Sequence, residues 1–221
     1  MRTIYHKKLA DLAGQLAEMC DLAGAAMKGA TQALLQADAA AAERVIGDHE
    51  VLVAMRERVE KEAFDLLALQ QPVAGELRAV FAAIDIVGDV ERMGALAVHV
   101  AKIARREYPR HVVPEDLRAT FADMAEVANT LSENAKRALI TRDPQQAAQL
   151  HEHDDAMDAR YRELLGVLLG RQWQESVSVG VELALLGRFY ERFADHAVEI
   201  GRRIIFAGTG ALPAGDEISA Y

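Results

Sequence analysis

The chain has 221 residues, with 51% hydrophobic residues, a formal net charge of −9 and a pI near 5.3. Such a chain buries a sizeable core and is not disordered overall, and its acidic balance argues against nucleic acid as the main partner. Pro and aromatics are scarce while Ala, Leu, Glu and Arg are plentiful, which favours helix over sheet.

Helical periodicity is almost continuous from the N-terminus and breaks at a few punctuated points. The first predicted helix covers about 3–35. Its start, MRTIYHKKLA, is basic but lacks an apolar signal-peptide core, and no run of 18 uninterrupted apolar residues follows anywhere. The expectation is a cytoplasmic protein without direct membrane insertion. The single cysteine, Cys20, excludes an intramolecular disulfide and a thiol-rich metal site; in MCDLAGAAM it reads as a small apolar residue on a helix face.

Asp38 is placed to cap a second helix over 39–69. LQQPV at Leu69–Val73 follows, with Pro72 ending that helix and starting a third over 73–106. The two prolines of EYPRHVVPED break the chain before a fourth helix over 115–141. Asp143-Pro144 caps a fifth over 144–169, and GRQWQES precedes a sixth over 176–206. The remainder, from 207 to 221, reads as a disordered tail.

The six helices form two sets of three. Glu91-Arg92 matches Glu191-Arg192 and Ala97-Val98 matches Ala197-Val198, an offset of 191 − 91 = 100. ALLQAD ending at Asp38 resembles ALITRD ending at Asp143. The predicted fold is therefore all-α, two tandem, sequence-related, up-down-up three-helix bundles. Their expected bounds are 1–107 and 115–206, with 108–114 as linker.

Acidic rows are the main candidate site. Glu191, Asp195 and Glu199 stand four apart on the sixth helix, hence along one face. Asp154 and Asp158 do the same on the fifth. If the rows meet, oxygen ligands converge that suit cations such as Mg, Mn, Fe or Zn, with His151, His153 and His196 nearby. A solvated helix face is the competing reading of such spacing. The first set is degenerate: Asp89 and Glu91 remain, but Ala95 matches Asp195, and Asp48 is taken to match Asp154 with Leu52 in the place of Asp158. His99 is a substitute nitrogen ligand there or an ordinary packed histidine. Arg105-Arg106 and Arg202-Arg203 near two helix ends complement the helix dipole. No Gly-rich phosphate loop and no nucleophile–base signature occurs.

LLALQQPVAGELR, VERMGALAVHVA, YERFADHAVEIGRRI, DHEVLVAMRERVE and DDAMDARYRELL resemble the PhoU family, across about residues 5–206. The resemblance implies two three-helix bundles, often a homodimer, and divalent or iron cations on the acidic rows. It implies no catalysis. Such a protein would be an adaptor between the ATPase of the phosphate ABC transporter and the phosphate-sensing histidine kinase. It would restrain uptake and the starvation response when phosphate is abundant, and meet the inner membrane face only through partners. Glu191 and Asp195 fit the family's second motif and Glu91 its first, whereas Ala95 and Glu199 depart from the pattern. Two other readings stand beside it: a metal-dependent carboxylate-bundle enzyme or metal-storage protein, and a helical scaffold without a ligand.

Overall fold

The computed structural model describes residues 2–70 and 72–213. It contains α1 (Arg2–Gln36), α2 (Ala39–Gln70), α3 (Gly75–Glu107), a single 3-10 turn (Glu115–Leu117), α4 (Arg118–Thr141), α5 (Pro144–Leu168) and α6 (Val177–Thr209). No strand occurs among the described residues. The caps are the expected ones: Ala41 N donates to Asp38 Oδ1 at 2.9 Å, and Gln145 N to Asp143 Oδ1 at 2.9 Å.

Three boundaries differ from expectation by two residues or more, the first being that of α4, which starts at Arg118 behind the 3-10 turn and not at 115. Ala74 takes a positive φ of 49°, so α3 starts at Gly75, not directly after Pro72. α6 runs past 206 to Thr209 and closes on Gly210, whose φ of 83° suits only a residue without Cβ. The rest of the expected tail, 214–221, lies outside the described residues.

The pattern of burial makes the duplication visible. Ala42, Val45, Leu52 and Val59 on α2 are buried, and so are Ala147, Leu150, Met157 and Leu164 on α5, at a constant offset of 147 − 42 = 105. Leu16, Met19, Cys20 and Ala23 on α1 correspond in the same way to Phe121, Met124, Ala125 and Ala128 on α4. Between α3 and α6 the offset is 100: Val90, Met93, Ala97 and Val100 match Tyr190, Phe193, Ala197 and Ile200.

The two bundles do not sit apart. α3 lies antiparallel to α6 and α1 antiparallel to α4, and the buried residues form one continuous core. Cross-bundle contacts fix this arrangement. Tyr190 shares a hydrogen bond with Thr31 at 2.6 Å, His196 Nδ1 lies 3.0 Å from Asp89 Oδ1, and Arg203 Nη1 lies 3.0 Å from Asp85 Oδ2. Because matched helices run antiparallel, the repeats are related by an approximate two-fold axis across the long direction. α3, with its 33 residues, is about 50 Å long at 1.5 Å per residue.

Candidate carboxylate site

The meeting of α5 and α6 decides whether the acidic rows face each other. Two glycines on α6 record the register. A Cβ on Gly187 would fall 2.6 Å from Leu164 Cδ2 and 2.9 Å from Tyr161, and one on Gly201 would fall 2.7 Å from the Ala147 carbonyl oxygen. Between those two contacts, the antiparallel register sets Asp154 opposite Asp195 and Asp158 opposite Glu191. The rows meet.

Electrostatics agree with that placement. Burial pushes the Asp154 carboxyl up to about 7, and Asp158 and Asp195 push in the same direction. Glu191 is likewise raised to about 7, first by burial and then by Asp195, with Arg188 opposing. Asp195, nearer the rim, is raised by the same loss of hydration; Arg188 opposes this and Asp158 adds to it. A charged carboxylate that has lost water and faces others of like sign favours its neutral form. Arg188 bonds one Glu191 oxygen, but Glu191 Oε2 and Asp154 Oδ1 are buried with no hydrogen-bond partner. Unsatisfied buried acceptors of this kind are costly, and a cation would satisfy them.

The donor set is all oxygen, which fits a hard divalent cation. Among the described residues, however, no three His, Cys, Asp or Glu side chains converge on one point closely enough to hold a metal ion. The cluster is therefore a partly compensated acidic surface rather than a closed coordination shell.

The other candidates lie elsewhere. Glu199 pairs with Arg202 at 3.2 Å and Arg203 at 2.8 Å, towards α3, and does not join the four carboxylates. His196 is engaged by Asp89, and His153 Nδ1 lies 2.6 Å from the Gln149 carbonyl. His151 is close enough to Asp154 to lower its pKa. His99 stacks on Phe189 with centroids 5.2 Å apart. Arg202 and Arg203 sit too far from the end of α6 at Thr209 to complement its dipole, and their role is ion pairing.

In the first bundle the match to Asp154 is His49, not Asp48. The offset of buried positions gives 154 − 105 = 49, and Asp48 is exposed. Aligning the shared Asp at the head of each segment sets the two copies one residue out of phase with the buried stripe. By the same offset Arg56 stands where Tyr161 stands. The consequence is chemical. Arg56 Nη1 donates to Glu91 Oε2 at 3.3 Å, and His49 Nε2 lies 3.7 Å from Glu91 Oε1. The first bundle thus carries its own guanidinium against its one carboxylate. The second carries four carboxylates, with Arg188 bonded to Glu191 and Arg192 and His196 acting on Asp195. Sequence reasoning missed His49 and Arg56; the apolar stripe of α2, counted from Ala42, was the signal that would have found them.

The family model described as PhoU domain matches residues 16–104 and 121–204. Over all 221 residues, and the full length of both chains, the protein is 66% identical to "Phosphate-specific transport system accessory protein PhoU homolog 1" of Mycobacterium tuberculosis. It is 55% identical over 213 residues, 96% of this chain and 100% of the relative, to "homolog 2" from the same organism. Among solved structures, that of "the phosphate transport system regulatory protein PhoU from Streptococcus pneumoniae" superposes with a TM-score of 0.85 at 24% identity, covering 96% of this chain and 100% of that one. PhoU from Pseudomonas aeruginosa gives 0.81 at 24% identity, over 94% and 100%. These last two show a shared fold. With both repeats matched and two relatives above half identity along nearly the whole chain, the protein belongs to the PhoU family.

Proposed function

We propose that this protein is a non-enzymatic regulator of phosphate uptake, acting as an adaptor between the ATPase of a phosphate ABC transporter and a phosphate-sensing histidine kinase. It restrains transport and the phosphate-starvation response when phosphate is abundant. The observation that carries this reading is the 66% identity, end to end, with a relative named as an accessory protein of phosphate-specific transport. No helix among the described residues is long and apolar enough to cross a membrane. Deletion of the gene, together with any second homologue, should leave phosphate-starvation genes switched on in high phosphate. Normal shut-off in such a strain would sink the adaptor reading.

A second reading concerns the carboxylate site alone. The orphaned oxygens of Asp154 and Glu191 support binding of one divalent cation, Mg, Mn, Zn or ferrous iron, between α5 and α6, with Asp158 and Asp195 at its rim. The cation would be structural or regulatory. Metal analysis of purified protein beside Glu191→Ala and Asp195→Ala tests it: stoichiometric metal lost in both variants supports the site, and equal metal in all three removes it.

A further inference from the structure

The two ends of the molecule are built from matched residues but are packed differently. At the end where α1 and α3 begin and α4 and α6 finish, an apolar cleft of about 290 Å³ opens between Leu9, Leu16, Ala79, Ala83, Ile86 and Ile204. At the matching place of the other end the offsets bring in Phe121 for Leu16, Val179 for Ala79 and Leu183 for Ala83, with Phe121 and Leu183 fully buried. Larger side chains stand there in the places that two alanines hold here.

The mouth of the cleft is polar, carrying Arg142, His6 and Glu76. Arg142 sits at the C-cap of α4 in the left-handed region, φ 54°, and its Nη2 donates to the Leu9 carbonyl at 3.2 Å. One contact leaves the remaining guanidinium donors available. His6 also lines the mouth, with its Nε2 3.8 Å from Oε1 of Glu76, the one acid there. The first turn of α3 begins on the same rim at Gly75, where helix amides favour negative charge.

We propose that this cleft binds a single-chain amphiphile with an anionic head: an alkyl chain enters between α1, α3, α4 and α6, and a carboxylate pairs with Arg142. The volume lies at the low end of small-molecule sites, enough for one chain and not for a two-chain lipid. An anionic head complements Arg142 and the N-terminus of α3, and the matched end, where Phe121 and Leu183 are fully buried, is the structural comparison.

The test uses the full-length protein and sodium dodecanoate below its micelle concentration, followed by calorimetry. The expected result is saturable one-to-one binding. Arg142→Gln should weaken it about tenfold, the loss expected for a charge-assisted hydrogen bond. Ala83→Leu, which installs the residue carried at the matching place of the other repeat, should raise the melting temperature and abolish binding. Should that variant fail to fold, Ala79→Val tests the same point with one smaller side chain. Dodecyltrimethylammonium should bind at least tenfold more weakly than dodecanoate. Non-saturating binding, equal affinity for the two head groups, unchanged affinity in a cleft-filling variant that folds, or binding confined to phosphatidylglycerol vesicles would each overturn the proposal.

Discussion

The chemistry of single residues separates the two repeats more sharply than their fold does. Glu91 and Glu191 occupy equivalent positions, yet Glu91 faces His49 and Arg56, whereas Glu191 faces three carboxylates with Arg188 on one of its oxygens. An acid whose pKa rises on folding takes up protons as the chain folds. Its contribution favours the folded state below the ordinary carboxylate range, and this advantage is lost as pH climbs through about 7, the value for Asp154 and Glu191. The melting temperature of the metal-free protein should therefore fall between pH 5 and 8 more steeply than that of a D154N/E191Q variant. Differential scanning calorimetry across that range checks it, and parallel curves would refute the cluster. Cys20 is fully buried, and burial pushes its thiol up to about 12. It should not react with Ellman's reagent in the native state at pH 8, and should react once the chain is unfolded in urea. Tyr190→Phe should cost about 1 kcal/mol in urea denaturation, since it removes the bond to Thr31 while Thr31 keeps its bond to the Met27 carbonyl.

At the scale of helices, small residues decide how closely neighbours approach. Gly201 sits where any Cβ would meet the backbone oxygen of Ala147 at 2.7 Å, and backbone does not yield as a side-chain tip does. Gly201→Ala should destabilise by about 1–3 kcal/mol and disturb the α5–α6 register that presents the carboxylates. Gly14 provides the contrast: nothing lies within 4 Å of the Cβ it would gain. Gly14→Ala should therefore stabilise by about 0.5–1 kcal/mol, through helix propensity alone. Measuring both by chemical denaturation separates packing from propensity.

For the whole molecule, the repeats are related by symmetry but share one hydrophobic core. Tyr190 and Phe121, both fully buried, face α1 and each other with centroids 5.9 Å apart, so neither bundle keeps its core covered without its partner. Thermal unfolding should be a single transition, with Trp173 fluorescence and helical circular dichroism changing together. Two resolved transitions would mean that the bundles are independent units.

Helix number, helix ends and the tandem repeat were legible in the sequence because they are local or periodic. Asp38, Asp143 and the prolines act on their immediate neighbours, and the apolar stripe repeats with the helix turn. The residues of the second acidic rows could be named for the same reason. Their convergence could not, because antiparallel register depends on where Gly187 and Gly201 let α6 close on α5. The first repeat shows the same limit. Matching letters selected Asp48, whereas burial selected His49 and brought in Arg56, which bonds Glu60 on its own helix at 2.8 Å and also reaches Glu91 on α3 at 3.3 Å. Sequence by itself determined what the elements are and which charges each one carries. Only the tertiary structure decided which of those charges face one another and lose their water, since that depends on side-chain packing between helices far apart in the chain.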